Sequence, residues 1–351
     1  MTRATVDVPR GSRVVTLRVS AVIEETEDAR SLVFDVPDAV ADRFAYRPGQ
    51  FLTLRIPSER TETVARCYSL ASSPFTGDPP QVTVKRTPGG YGSNWLCDNI
   101  SVGDTLDVLP PQGTFTPASL DTDLLLWAAG SGITPVMSIL RSALVQGAGR
   151  VVLFYANRDQ ESVIFAETLR GLVARYPGRI TVAHWLESLQ GLPTAAQLAE
   201  FAAPYPSFVS FVCGPGPFMS AVTEALSGAG WPRERITTEV FVSLSGDPFA
   251  EPTPLDPVDA EDAARVEVEL DGTVHALSWP RSRTLVDVML ADGLDVPYSC
   301  REGECGSCAC TVVDGEVTMT NAAILDQEDI DAGYALACQA RPRTDQVRIR
   351  F

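Results

Sequence analysis

Short runs in which apolar and polar residues alternate dominate the first third of the chain. Residues 17–23, 31–36, 51–56, 65–70, 81–86 and 105–109 read this way, with Gly, Pro and Asp between them. Alternation with period two sends successive side chains to opposite faces, so six short strands spaced like this predict an antiparallel barrel. The pattern changes at Asp123. Residues 124–129, 151–156, 180–185, 208–213 and 236–240 are apolar strands, and helical stretches start between them at Ile133, Ser162, Thr194 and Gly216. Strands alternating with helices predict a parallel α/β sheet, whose ligands bind outside the carboxyl ends of the strands.

Residues 245–264, SGDPFAEPTPLDPVDAEDAA, break both patterns with four prolines and six acids and no basic residue. Proline stiffens such a segment and like charges extend it. The expectation is a partly rigid linker that holds two modules apart or lets one swing, and a joint with no further role is the plainer alternative. The division that follows is 1–118 for the barrel, 119–244 for the α/β domain, 245–264 for the linker and 265–351 for a C-terminal domain.

A length of 351 residues suits two or three domains, each with its own core. No run of 18 or more apolar residues and no leader pattern occurs, so the expected location is the cytoplasm, with no membrane partner. The net charge of −17, with Lys85 the only lysine, argues against nucleic acid. A partner steered by charge would present a basic face. Eight cysteines without a disulfide framework fit a reducing compartment.

Four of those cysteines change the picture. Cys300, Cys305 and Cys308 follow C-x4-C-x2-C, and Cys338 lies further on, which is the plant-type spacing for a [2Fe-2S] cluster. Each iron takes two thiolates, so three ligands come from one tight loop and the fourth from a segment folded back beside it. Gly303, Gly306 and Ser307 are small enough to let backbone N–H groups approach the sulfurs. The alternatives are a zinc site, which more often takes two short Cys pairs, or free core cysteines. Cys67, Cys97, Cys213 and Cys310 form no second set, and Cys310 reads as a buried thiol.

Two further segments carry candidate chemistry. Arg66-Cys67-Tyr68-Ser69 ends a strand at a polar turn, and Lys85 to Trp95 places a glycine-rich turn before a helix, where free N–H groups suit a phosphate. In the α/β region, WAAGSGITP runs from strand through glycine turn into helix at 127–135, without the full G-x-G-x-x-G spacing. A second turn, CGPGPFM at 213–219, opens at the same sheet edge. Two turns at one edge favour a ligand crevice.

The ordered set R-C-Y-S-L, G-S-G-I-T-P, C-G-P-G-P-F-M, E-V-F and the four-cysteine loop resembles the ferredoxin-NADP reductase superfamily, in its oxygenase-reductase branch with a C-terminal plant-type ferredoxin domain. The resemblance covers nearly the whole chain. It implies an FAD-binding barrel, an NAD-binding α/β domain and a β-grasp-like ferredoxin domain. It also implies roles. Arg66 would neutralise the flavin pyrophosphate, with Gly90, Gly92 and Ser93 holding it, while Tyr68 would stack on the isoalloxazine and Ser69 bond near its N5. Gly130, Thr134, Pro135, Cys213, Gly214 and Pro215 would shape the nicotinamide pocket, and Arg158 would lie along the adenosine half. Glu239 and Phe241 would cover the flavin until nicotinamide displaces them. Many relatives carry a His two residues before that Glu; this chain has Thr237.

NADH delivers two electrons as hydride and an iron-sulfur centre takes one, so the implied activity converts between the two through FAD. The implied partner is a Rieske-type oxygenase, and this chain would not touch the organic substrate. Reductases of aromatic-ring dioxygenases or of the phenylacetyl-coenzyme A system share the same modules, and a zinc-holding or redox-sensing regulator is the alternative from another class. Asp159 favours NADH over NADPH, with Arg158 beside it as an offset. Glu302, Glu304, Asp326, Glu328, Asp329 and Asp331 form the expected steering face.

Overall fold

A computed structural model describes residues 13–250 and 262–351. The alternating region forms β1 (Val15–Thr26), β2 (Ala29–Asp35), β3 (Phe51–Ser58), β4 (Glu62–Ser69), β5 (Gln81–Lys85) and β6 (Thr105–Gln112), with α1 (Tyr91–Asn99) between the last two. The strands pair antiparallel in the order β4-β3-β6-β1-β2-β5, and the curled sheet meets itself at the bridge Leu70↔Val82. Leu17, Phe34, Leu52, Leu54, Ile56 and Val108 fill the interior, joined by Leu96 and Cys97 of α1.

The second domain is a five-stranded parallel sheet, β7 (Leu124–Ala129), β8 (Val151–Asn157), β9 (Ile180–Leu186), β10 (Val209–Cys213) and β11 (Ile236–Glu239), in the order β11-β10-β7-β8-β9. Its helices are α2 (Ile133–Gln146), α3 (Ala166–Arg175), α4 (Glu187–Gln190), α5 (Ala195–Ala202) and α6 (Gly216–Gly228). Leu124, Leu126 and Ala128 of β7 enter one core and Leu125, Trp127 and Ala129 the other, because helices cover both faces. The helix expected from Ser162 starts instead at Ala166. Asp159 Oδ1 accepts the Ser162 N–H at 2.9 Å, and Phe165 turns left-handed at φ 62°, so the intervening residues form a polar turn.

The C-terminal domain contains β12 (Ala263–Leu270), β13 (Thr273–Pro280), α7 (Leu285–Ala291), β14 (Ala309–Asp314), β15 (Val317–Met319), α8 (Gln327–Asp331), β16 (Tyr334–Leu336), β17 (Ala340–Pro342) and β18 (Gln346–Arg350). Its main sheet runs β13-β12-β18-β14-β16, with β12 and β18 parallel, and α7 packs on it around Trp279, Leu285 and Met289.

The three domains are packed together. Ala65 of β4 and Leu109 of β6 belong to the same buried cluster as Trp279 and Cys300, and Cys67 packs against it. The start of the expected spacer is part of this seam. Glu302 accepts from the Ser245 N–H at 2.9 Å, its hydroxyl at 3.0 Å and the Gly246 N–H, while Arg55 donates to Phe249 O at 3.1 Å and Arg301 to Ala250 O at 3.0 Å. Residues 245–250 therefore tie the modules together, because their backbone groups find partners on both sides; residues 251–261 lie outside the described residues. Arg233 pairs with Asp326 across the domains.

Trp279 is fully buried and donates to Arg283 O at 3.0 Å. Trp279→Ala is expected to cost about 3 to 5 kcal/mol in the unfolding transition of the C-terminal domain, read from urea titration, through the lost contacts and the cavity left behind.

Candidate active site

Two cavities meet where the barrel, the α/β domain and the cysteine loop converge. One, of about 260 Å³, is lined by Arg66, Tyr68, Ser69, Lys85, Gly90, Gly92, Ser93, Thr134 and Phe241 among others. The other, of about 380 Å³, has Ser69, Glu239 and Phe241 on its walls together with Glu304 and Cys305 of the cysteine loop. Strand periodicity explains the split. Val64 and Tyr68 of β4 pack toward the barrel interior, whereas Ala65 and Cys67 pack toward the C-terminal domain.

The smaller cavity suits an anionic group. The helix α1 starts at Tyr91 with Gly90 as its N-cap and no side-chain cap, so its first N–H groups are left for a ligand. Arg66 lies along the same turn: a Cβ on Gly92 would come within 3.0 Å of its Cγ. Arg66 Nη1 is held by Ala65 O at 2.7 Å and Leu244 O at 3.0 Å. Ser93 Oγ accepts the Thr87 N–H at 3.0 Å, which fixes the glycine turn. These are the features a flavin pyrophosphate needs, and burial pushes the Tyr68 phenol up so that it stays neutral.

On the α/β side, Cys213 and Glu239 are register partners on β10 and β11. Glu239 is partly buried as a residue, but its Oε2 is shielded from solvent without a hydrogen-bond partner, and desolvation pushes its pKa up to about 8 against a hydrogen bond from Ser69 that lowers it. Glu239 is therefore protonated at neutral pH. Burial also raises the Cys213 thiol, with Glu239 adding to the effect. Gly132 of the first glycine turn touches the second, since a Cβ there would sit 2.2 Å from Cys213 O. Gly130 takes φ 53°, and its carbonyl accepts from Tyr155 Oη at 3.2 Å.

The four cysteines are also brought together. Cys300, Cys308 and Cys338 are buried and Cys305 is partly exposed. Hydrogen bonds from Cys305 and Cys338 lower the Cys300 thiol, and one from Cys338 lowers Cys308, so the four sulfurs lie within reach of one another. Backbone N–H groups of Glu302 and Cys338 reach Cys300 Sγ at 3.4 Å and Cys308 Sγ at 3.5 Å. Gly303 and Gly306 take φ 81° and 69°, and a Cβ at Gly303 would strike Asn321 O at 2.7 Å. Among the described residues no three His, Cys, Asp or Glu side chains close on a single metal ion, whereas a two-iron cluster spreads its thiolates over two centres.

Not every expected residue lies on these walls. Gly130, Pro135, Cys213, Gly214 and Pro215 line neither cavity and lie in or beside the two glycine turns. Pro135 is buried in the first turn of α2. Arg158 lies at the end of β8, bound to Asp159 at 2.9 Å and to Ser162 Oγ at 3.0 Å. The expected acidic face is partly used within the molecule. Glu302 holds the linker, Asp326 pairs with Arg233, and Asp326 with Asp329 forms the capping box of α8. Among residues that sequence reasoning left without a role, Lys85 lines the smaller cavity, and being the sole lysine at the end of a strand beside a glycine turn was the available signal.

Three family models match in chain order: an oxidoreductase FAD-binding domain over 16–116, an oxidoreductase NAD-binding domain over 126–224 and a 2Fe-2S iron-sulfur cluster binding domain over 268–343. The ferredoxin reductase component of 3-ketosteroid-9-alpha-monooxygenase from Rhodococcus rhodochrous is 69% identical, covering 99% of each chain. A component of the 1,2-phenylacetyl-CoA epoxidase from Escherichia coli is 32% identical, covering 95% of this chain and 97% of its own. Phthalate dioxygenase reductase shares the fold, with a TM-score of 0.58 at 22% identity over 96% of this chain and 98% of its own. No helix among the described residues is long and apolar enough to cross a membrane.

Gly132→Ala is expected to cost about 1 to 3 kcal/mol in thermal unfolding of the α/β domain and to weaken NADH binding, because backbone must move to admit the methyl group. Glu239 gives a pH signature. Folded, it keeps its proton to about pH 8; unfolded, it loses it near 4.5. Its contribution to the stability of flavin-free protein is therefore complete below pH 4.5 and is lost as pH rises toward 8. Urea midpoints measured from pH 5 to 8.5 should fall, and Glu239→Gln should flatten that fall.

Proposed function

Because the chain belongs to the family of FAD- and NAD-binding oxidoreductases with a 2Fe-2S domain that includes monooxygenase reductase components, we propose that it feeds electrons from NADH to a Rieske-type oxygenase acting on a 3-ketosteroid. When bound, FAD takes a hydride from NADH and releases its electrons singly, and the 2Fe-2S cluster accepts them one at a time. The observation that carries this reading is the cavity whose walls include Ser69, Glu239 and Cys305 together. Ser69, which would face the hydride acceptor, and Cys305, which would hold the one-electron acceptor, thus line one cavity.

The chain's own residues supply binding and orientation. Arg66 and the free N–H groups of α1 would hold the pyrophosphate, with Gly90, Gly92 and Ser93 keeping the turn open to it. Tyr68 would stack on the ring. Ser69 donates to Glu239, and the protonated Glu239 offers a hydrogen bond to the nicotinamide side without placing a charge there. Phe241, half exposed on the rim of both cavities, would give way to nicotinamide. Gly130, Thr134, Pro135, Cys213, Gly214 and Pro215 would shape that pocket through the two packed turns. Asp159 is held below the usual carboxylate range by Ser162 and Arg158, so it stays ionised and Arg158 is already engaged, which favours NADH over a 2′-phosphate. Cys300, Cys305, Cys308 and Cys338 would hold the irons.

The steroid assignment rests on 69% identity against 32% for the epoxidase component. Free cysteines with no disulfide among them fit the cytoplasm. The test is to add NADH anaerobically and then candidate oxygenases. Flavin and cluster bands should bleach in turn, and the steroid oxygenase should be reduced fastest; reduction of a ring-hydroxylating or epoxidase component at the same rate would remove the substrate assignment. Cys338→Ser should abolish iron binding and reduction of the oxygenase while leaving NADH oxidation by an acceptor of flavin electrons within about twofold, since the loop lies in a separate domain.

A further inference from the structure

Beside the contacts that Arg13 makes with Val296 O and Asp295 and that Arg55, Arg66 and Arg301 make with residues 244–250, the seam between the barrel and the C-terminal domain holds one pair of side-chain hydroxyls. The hydroxyls of Thr53 on β3 and Ser299, the residue before Cys300, lie 2.5 Å apart although 246 positions separate them in the chain. Both side chains are buried, at 1% and 2% exposure, so water is not an alternative partner for either. Thr53 is also the cross-strand partner of Cys67, with Oγ1 3.5 Å from its sulfur. Burial pushes the Cys67 thiol up to about 12, so it remains a neutral, weak hydrogen-bonding group.

We propose that Thr53 and Ser299, with Cys67 completing the group, are a registration pin that sets the cysteine loop against the strand carrying Tyr68 and Ser69, and so govern the passage of electrons from flavin to cluster. This rests on the reading of the two cofactor sites given above. The physical argument is one of selection among docked poses. Apolar contacts between Ala65, Leu109 and the C-terminal core tolerate a slide, because hydrophobic attraction is not directional. Two buried hydroxyls do not tolerate it, since a shift that separates them leaves a donor and an acceptor without partners. The pin therefore fixes the position of Cys300 relative to β4. Cys67, between Arg66 and Tyr68 on β4, hydrogen-bonds with both Thr53 and Ser299 and lies near enough to Cys300 for the two sulfurs to influence each other. Neither hydroxyl lines either cavity, although Cys67 lines both, so removing a hydroxyl is expected to leave reduction of flavin by NADH largely intact.

The experiment uses the full chain loaded with flavin and cluster. Thr53→Val and Ser299→Ala are mixed with NADH in a stopped-flow spectrometer, and flavin and cluster bands are followed separately. Flavin reduction should stay within about twofold of the parent, and cluster reduction should slow about tenfold, given that ångström-scale misplacement costs up to about 100-fold in other reactions. Hydrogen exchange at the amides of 299–306 should quicken in the oxidised holoprotein, a readout that needs no turnover. Thr53→Ser keeps the hydroxyl and should restore both. Cluster reduction at the parental rate in either variant, or a Thr53→Ser variant as slow as Thr53→Val, would overturn the pin. If Thr53→Val does not fold, Ser299→Ala decides alone by the same criteria. Absence of flavin or iron from the parent protein would instead overturn the function proposed above and is read before any variant is compared.

Discussion

Everything in this molecule depends on a property of one strand: β4 has two faces and hardly any thickness. Tyr68 and Val64 look into the barrel, Ala65 and Cys67 look out at the C-terminal core, and Ser69 stands at the end where both cavities open. A strand alternates because the pleat requires it, so consecutive residues of R-C-Y-S are delivered to different domains without any loop or insertion. Two chemistries that must stay apart are thereby placed back to back. The proposed hydride site would have the barrel turn on one side and the first glycine turn of the α/β sheet on the other; the cysteine loop sits across the same strand.

That arrangement governs which groups carry charge. The protein as a whole is strongly acidic, at −17, and four thiolates would add to it. Three ionisable groups around the junction are nonetheless kept neutral by burial: Glu239, Cys213 and Cys67 all hold their protons at neutral pH. Partial positive charge comes instead from backbone, through the N–H groups that reach Cys300 and Cys308. Such donors are fixed by the fold, and Gly303 and Gly306 provide the left-handed turns that aim the loop backbone inward. The carboxylates are worked at the margins, where Glu302 grips Ser245 and Gly246 and Asp326 grips Arg233.

Local chemistry was legible in the sequence and long-range pairing was not. Period-two runs located the six barrel strands, the C-x4-C-x2-C spacing located the loop, and the two glycine turns located the sheet edge, because each signal lies within a dozen residues. Ser162 misled for a local reason: its N–H is taken by Asp159, so the turn competes with the helix and wins until Ala166. Glu302 misled for a distant one. Its spacing beside Cys300 resembles an exposed acid on a docking face, and nothing in sequence says that the backbone of Ser245 arrives to occupy it. Thr53 and Ser299 are invisible for the same reason, being ordinary small polar residues until the fold brings them together. Composition read the linker as a spacer, and its first residues are an adhesive.

The same facts bear on whether the C-terminal domain is a swinging carrier or a fixed terminal. A swinging carrier needs an interface that costs little to leave, polar and wet on both sides. This seam has Ala65, Leu109 and Leu244 buried in the C-terminal core, a pair of hydroxyls with no access to water, and Arg55, Arg66 and Arg301 each bound to a carbonyl of residues 244–250. Leaving would expose the apolar groups to water, while the polar ones would exchange their partners for water at small net cost, so the buried apolar contact is what holds the domain in place. The domain is therefore best understood as a fixed terminal of the flavin site. Cys305 is the cysteine of the set that is not buried, and it faces the cavity that Ser69, Glu239 and Phe241 also line.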